Sequence, residues 1–162
     1  EGAGDDRVDE ADFMKSLGLG RLGNALIQRC DEFAFLRREE GVVTFAWKRR
    51  GGQSGGNDRY GQCQKASGFV KFFGECEYVI WVAADHVRKS LFTNLQLEAL
   101  LYHELLHCGY EVDKNGQMKL IVKGHDDELF YDELRRYGTW RRGLRKTAEV
   151  YAQLGLGEEG GV

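Results

Sequence analysis

The spacing of apolar residues along the chain predicts an alternation of helices and strands. Between residues 21 and 37 the apolar positions recur every three or four residues, which is typical of an amphipathic helix. Three later runs are rich in β-branched and aromatic side chains and predict strands, at residues 42–47, 60–66 and 77–83. The third run is the most apolar, so we expect it to be the central strand. Residues 51–58 lack apolar side chains and are expected to form a flexible loop.

The second half of the chain begins with a helix whose start is marked by a capping motif. Thr93 is followed three residues later by Gln96, a pair that satisfies the first amide groups of a helix, and Gly109 is a suitable residue to end it. The remaining segments predict a β-hairpin and two further helices, at residues 110–124, 125–137 and 143–154. This order of elements indicates an α+β fold, a small mixed β-sheet with helices packed on it.

Length and composition indicate one domain of an ordinary globular protein. The chain has 162 residues, of which 42% are hydrophobic and 30% are charged. We expect the domain to span residues 13–155, between a disordered N-terminal segment, residues 1–12, and a flexible tail, residues 156–162. The net charge of −3 does not by itself indicate a nucleic-acid partner. No apolar run approaches the roughly 20 residues that cross a membrane, so no membrane partner is expected.

The four cysteines are expected to be reduced. None of them forms a C-x-x-C pair, which argues against a zinc site made of thiolates. The start of the chain lacks the basic and apolar stretches of a secretory signal, so we expect a cytoplasmic protein with buried thiols. A disulfide between Cys63 and Cys76 is the one bridge that this pattern leaves open.

The sequence His103-Glu-Leu-Leu-His107 lies in the middle of the helix predicted from Thr93. Residues four apart lie on one face of a helix, so His103 and His107 can present two imidazoles to one cation. Glu104 projects beside that cation, where a carboxylate can act as general base on metal-activated water. Zinc accepts nitrogen ligands in a tetrahedral arrangement and, in catalytic sites, keeps one position for water. The motif therefore predicts a hydrolytic Zn²⁺ site.

A third protein ligand is needed, and four residues are candidates. We predict His125, the only downstream histidine, which stands after a hairpin that can fold back over the metal. Asp113 has the spacing of extended zincin motifs, but it lies in the predicted hairpin turn. Glu128 and Glu133, in the following helix, are the carboxylate alternatives, with Glu128 preferred.

Several motifs follow one another between residues 60 and 140. They are the strands at 61–65 and 79–83, the HELLH helix, the run Lys123-Gly124-His125-Asp126, and then Glu128, Phe130 and Arg136-Tyr137-Gly138. In this combination they resemble the phage metallopeptidase family, which is itself similar to SprT-like minimal zincins. The resemblance implies a minimal zincin-like fold, zinc bound by His103, His107 and His125, and Glu104 as the base. It does not imply a particular substrate.

The function that these observations predict is hydrolysis of peptide bonds by a zinc metallopeptidase acting on proteins or peptides. The alternative is a binding module in which zinc is structural and a basic surface contacts nucleic acid or a protein partner. Basic residues do cluster late in the chain, at Arg135, Arg136, Arg141, Arg142, Arg145 and Lys146. Because the net charge is −3, we interpret them as a solvated helix face, so a nucleic-acid partner is not favoured. The sequence does not indicate an oligomeric state.

Overall fold

The computed structural model describes residues 12–37, 41–124 and 130–140 of the chain. Four strands form a mixed sheet: β1 (Phe13–Lys15), β2 (Val43–Lys48), β5 (Gly61–Lys65) and β6 (Tyr78–Ala83). Their order in the sheet is β1-β2-β6-β5, with β2 and β6 parallel and the two outer strands antiparallel to their neighbours. Two separate hairpins pair β3 (Gln53–Ser54) with β4 (Asn57–Asp58), and β7 (Cys108–Val112) with β8 (Met118–Val122).

The helices complete an α+β architecture. They are α1 (Leu17–Arg29), α2 (Gly68–Gly74), α3 (Ala84–Lys89), α4 (Asn94–Leu106) and α5 (Tyr131–Tyr137), with a 3-10 helix at Asp31–Leu36. Helices α1 and α4 contact each other, α1 packs on β2, and α4 packs on β5 and β6. The predicted fold class, a small mixed sheet with helices packed on it, is confirmed.

The core lies between one face of the sheet and helices α1 and α4. Along β6, Tyr78, Ile80 and Val82 alternate onto the same face and are completely buried. The Tyr78 hydroxyl lies 3.0 Å from the carbonyl oxygen of Gly109 and 2.9 Å from that of Ile121. This buried side chain therefore attaches the β7–β8 hairpin to the sheet, beside the end of α4.

Helix α4 begins as predicted. The Thr93 hydroxyl accepts a hydrogen bond from the Gln96 amide at 3.2 Å, and the Gln96 side chain accepts one from the Thr93 amide at 2.9 Å. The helix ends at Leu106, before the predicted end at Gly109, because the chain enters β7 at Cys108. The three predicted strands and the predicted hairpin are present within one or two residues of their expected bounds.

The first helix differs from the prediction at both ends. Instead of one helix over residues 21–37, α1 starts four residues earlier, after Ser16, whose hydroxyl accepts a hydrogen bond from the Leu19 amide at 3.1 Å. It stops before Cys30, whose backbone is extended at φ −98° and ψ 121°, and the 3-10 helix follows. Phe33 and Leu36 are still buried in the core. The helical spacing of apolar residues therefore continues through Phe33 and Leu36, although the α-helix itself ends before Cys30.

Besides the 3-10 helix, four short elements were not predicted, and the first of them is strand β1. The loop expected at residues 51–58 contains the β3–β4 hairpin, and helices α2 and α3 flank β6 in the chain. Helix α2 buries none of its residues and exposes Phe69, Phe72 and Phe73. A helix is normally recognised in a sequence by an apolar face that packs on the core, and α2 has no such face because its apolar side chains are exposed.

The Cys63–Cys76 disulfide that the sequence left open is not formed in the structure. All four cysteines are free and buried, which agrees with the expectation of reduced thiols. Cys63 is paired with Ile80 across β5 and β6, so its side chain faces the core, and its sulfur lies 3.7 Å from that of Cys108. Cys76 lies in the segment between the end of α2 and the start of β6.

Several predictions concern residues outside the described part of the chain. These are the disordered segment before Asp12, the helix at 143–154 and the tail at 156–162. Of the helix predicted at 125–137, residues 125–129 are also outside it, and Phe130 is extended, so α5 starts at Tyr131. Among the described residues, no helix has the length and apolar character needed to cross a membrane.

Candidate metal centre

His103 and Glu104 lie in the last turn of α4, and His107 is the residue that caps its C-terminus. The prediction that the motif lies in the middle of the helix is therefore wrong. His107 nevertheless keeps a helical backbone, at φ −70° and ψ −22°, so its side chain still lies one turn from His103 on the same face. The centroids of the two imidazole rings are 5.3 Å apart. The two side chains are close enough to bind one cation.

A buried carboxylate orients His103. Nδ1 of His103 contacts Oε1 of Glu133, a residue with no exposed surface. The same carboxylate accepts hydrogen bonds from the amide of Phe130 at 3.0 Å and from the indole of Trp140 at 2.9 Å. Burial alone would raise the pKa of Glu133, but the hydrogen bond and charge of His103 outweigh it and lower that pKa. An ionised Glu133 accepts the Nδ1 proton of His103, so Nε2 is the nitrogen of this ring that can bind a metal.

A main-chain carbonyl orients His107 in the same way. Nδ1 of His107 lies 2.7 Å from the carbonyl oxygen of Lys123, and the Lys123 amide donates to the carbonyl oxygen of His107 at 2.8 Å. Burial lowers the pKa of His107, so its imidazole is neutral at neutral pH, and neutral imidazole is the form that binds metals. Its Nδ1 proton points at the carbonyl oxygen of Lys123, so Nε2 is again the nitrogen that can bind a metal.

Glu104 lies beside the two histidines at a cleft of about 580 Å³. Its side chain is buried, with Oε1 3.9 Å from Nε2 of His103. Gly61 of β5 lies directly against it, because a Cβ at this position would be 3.3 Å from both Cγ and Oε1 of Glu104. The cleft is lined by α4, by the start of β5, by the β3–β4 hairpin and by the end of β8.

These residues fit a divalent metal ion with nitrogen ligands. Two imidazoles on one helix face, each held through Nδ1 by its own acceptor, match the way that metal-binding histidines are oriented. Within residues 12–37, 41–124 and 130–140, no group of three or more His, Cys, Asp or Glu side chains is arranged to hold a metal. His125 and Glu128 lie outside these ranges, so the third ligand stays a prediction.

The other two candidate ligands have hydrogen-bonding partners in the described structure. Oδ1 of Asp113 accepts the amides of Asn115 and Gln117, both at 2.8 Å, so it shapes the hairpin turn. Glu133 contacts Nδ1 of His103, where it orients the imidazole. The sequence indicated Glu133 only as a possible ligand, and it did not indicate Trp140, because neither is near His103 along the chain.

A second, half-buried carboxylate lies on the opposite side of α4. Glu32 accepts the hydroxyl proton of Tyr102 at 2.6 Å and pairs with Arg136 at 3.2 Å. Burial would raise the pKa of Glu32, but these hydrogen bonds and the charge of Arg136 lower it overall. Arg136 therefore has an acidic partner within the protein. The later members of the basic cluster lie outside the described residues, and the prediction about nucleic acid stays a prediction.

Neither a curated protein nor a solved structure matches the chain. A family model described as "Putative phage metallopeptidase" matches residues 11–151. This range contains His103, Glu104, His107 and His125. The family's description implies a metal ion and protein or peptide substrates. The similarity to SprT-like minimal zincins stays a prediction. Because the match covers most of the sequence, the chain belongs to the phage metallopeptidase family.

Proposed function

We propose that the chain is a zinc-dependent peptidase in which His103, His107 and His125 hold the metal and Glu104 is the general base. The observation that supports this most strongly is the pair of oriented imidazoles. Each has its Nδ1 at a separate acceptor, the Glu133 carboxylate or the Lys123 carbonyl, and both lie beside Glu104 in one cleft. A purely structural pair of histidines has no need of an adjacent carboxylate at a cleft.

Zinc, when bound, lowers the pKa of a water molecule and polarises the carbonyl of the peptide bond. Glu104 then accepts a proton from the attacking water and delivers it to the leaving nitrogen as the carbon–nitrogen bond breaks. Its buried position against Gly61 keeps the carboxylate in one place. Glu133 holds the His103 ring in a fixed orientation throughout, because its own oxygens are held by Phe130 and Trp140.

The start of β5 is suited to position an extended substrate. Within the described residues β5 pairs on one side only, with β6, and residues 60–63 line the cleft. An extended peptide can add main-chain hydrogen bonds along such an edge, which places its carbonyl groups next to Glu104. This mode of binding does not depend on particular substrate side chains, so it suits a peptidase with several substrates.

Replacement of Glu104 by glutamine tests the proposal. Hydrolysis of casein should fall at least 100-fold, because a general base contributes about 10²–10⁴ to the rate, whereas zinc content should stay stoichiometric. Glu111→Gln makes the same chemical change on an exposed strand and should leave hydrolysis unchanged. Full activity in Glu104→Gln would refute the role of the base. Zinc measured in His125→Ala should fall below one equivalent if His125 is a ligand.

A chelator separates the peptidase from the alternative function. Removal of zinc should abolish casein hydrolysis by the unmodified chain, and added zinc should restore it. If zinc is stoichiometric and casein and unfolded proteins are never cleaved, the chain is a zinc-stabilised binding module and the peptidase proposal is wrong.

A further inference from the structure

The cleft next to His103 and Glu104 contains a second set of charged side chains. Besides Glu104, its charged lining residues are Asp58, Arg59 and Lys123. Asp58 has partners on its own side of the cleft, because it accepts a hydrogen bond from Gln53 at 3.2 Å and lies 3.7 Å from the ring of His86. Asp58, which precedes Arg59 in the chain, therefore already has partners of its own.

Arg59 and Lys123 come from different parts of the fold, and the main chain of each is fixed. Arg59 connects β4 to β5, and its amide donates to the carbonyl oxygen of Gly52 at 3.0 Å. Lys123 follows β8 and is held by two hydrogen bonds to His107, at 2.7 and 2.8 Å. The aliphatic part of Lys123 lies beside Gly109. Two separate segments therefore bring positive charge to the same cleft.

Neither cation has an acidic partner in the described part of the chain. The ion pairs found there involve other basic residues, and the ammonium group of Lys123 contacts only an aromatic ring, with 5.8 Å to the centroid of Phe130. A guanidinium and an ammonium in one cleft are complementary to a carboxylate, which a guanidinium can bind through two parallel hydrogen bonds.

We propose that Arg59 and Lys123 bind a carboxylate of the substrate, so that the cleft selects peptides with a negative charge close to the cleaved bond. This inference rests on the proposed peptidase function. Arg59 precedes Gly61 by two residues, about 7 Å along an extended chain, and Gly61 contacts Glu104. The carboxylate therefore lies one or two substrate residues from the reacting carbonyl. It belongs either to an Asp or Glu side chain or to the C-terminus of the peptide.

Binding of three octapeptides to zinc-loaded Glu104→Gln distinguishes these sources. The peptides are identical except that the first has a central Glu and an amidated C-terminus, the second a central Gln and an amidated C-terminus, and the third a central Gln and a free C-terminal carboxylate. At least one charged peptide should bind about tenfold more tightly than the neutral one, because hydrogen bonds to charged groups are the stronger ones. Equal dissociation constants for all three would overturn the proposal.

Charge-neutralising variants test which residues are responsible. Combining Arg59→Gln and Lys123→Gln in the Glu104→Gln chain should abolish the advantage of the charged peptide. Lys114→Gln removes one charge from the exposed hairpin turn outside the cleft and should keep the advantage. Zinc content and thermal unfolding of each variant establish that the site and fold are retained. An advantage that persists in the combined variant overturns the proposal.

Cleavage of the same peptides by the unmodified chain separates this inference from the proposed function. If charged and neutral peptides are cleaved with equal kcat/KM and bind equally, the peptidase function stands and carboxylate recognition is wrong. If no peptide is cleaved but the charged one binds through Arg59 and Lys123, the cleft recognises carboxylates and the peptidase function is wrong.

Discussion

Replacing Glu133 by glutamine should weaken zinc binding without removing any metal ligand. Glu133 is completely buried and has three hydrogen-bond donors around it, the imidazole of His103, the amide of Phe130 and the indole of Trp140. Two of these donors share Oε1, and the indole has Oε2 to itself. A glutamine of the same shape offers one accepting oxygen and one amino group. It therefore cannot accept all three protons.

The number of donors around Glu133 sets the expected loss of stability and of zinc affinity. If the glutamine oxygen accepts from His103 and Phe130, its amino group faces the indole N–H of Trp140, and two donors oppose each other in a buried site. One buried donor without an acceptor costs about 1–3 kcal/mol of unfolding free energy. If the amide is flipped, His103 loses its acceptor instead. Loss of a partner that orients a metal-binding histidine typically lowers metal affinity about 10–100-fold.

Two measurements test these expectations separately. Competition with a chromophoric chelator gives the zinc dissociation constant, and urea unfolding of the metal-free chain gives the stability. Asp132→Asn is the control, since Asp132 is the adjacent residue with a side chain that is 53% exposed, and it should change stability by no more than about 0.5 kcal/mol. A Glu133→Gln chain that binds zinc as tightly as the unmodified chain would refute the idea that Glu133 orients His103.

Two further substitutions probe the cleft and the opposite side of α4. Gly61→Ala places a Cβ 3.0 Å from the carbonyl oxygen of Trp81 and 3.3 Å from Glu104, so it should reduce kcat several-fold with zinc retained. Gly124→Ala, whose Cβ meets no atom within 4 Å, should leave kcat unchanged, and equal kcat in both variants would contradict the close contact. Glu32→Gln should destabilise the chain at about pH 7 and much less at about pH 3.5. Folding lowers the pKa of Glu32 despite its burial, chiefly because the Tyr102 hydroxyl donates a hydrogen bond to the carboxylate. The ionised carboxylate therefore stabilises the folded state above the unfolded pKa of about 4.3, and this stabilisation is lost as pH falls through the folded pKa. Urea unfolding at both pH values measures this, and an equal loss at both would contradict it.

Local patterns in the sequence were sufficient to predict that the two histidines and Glu104 lie together. The four-residue spacing of His103 and His107 produces one helix face whether or not the rest of the fold is known. The start of α4 depends on Thr93 and Gln96 alone, so it too could be identified from residues close together in the chain. Strands β2, β5 and β6 could also be predicted, because runs of β-branched and aromatic residues reflect burial in a sheet.

Contacts between residues that are distant in the chain could not be predicted from the sequence in the same way. Cys30 interrupts the first helix although the apolar spacing continues across it, since both halves are packed on the same core. Cys63 lies next to Cys108, not Cys76, because β5 turns its side chain towards α4 and the hairpin that follows it. A periodic pattern shows which face is buried, but not what is packed against it.

The sequence by itself therefore determined the chemistry at the end of α4, a pair of imidazoles and a carboxylate at metal-binding spacing. Only the tertiary structure decided how that chemistry is held. Packing of α5 against α4 brings Glu133 to Nδ1 of His103, and the return of β8 brings the Lys123 carbonyl to Nδ1 of His107. The physical reason is the range of the interactions. Helix spacing depends on neighbours within one turn, whereas the orientation of each imidazole depends on hydrogen bonds to residues that only folding brings near.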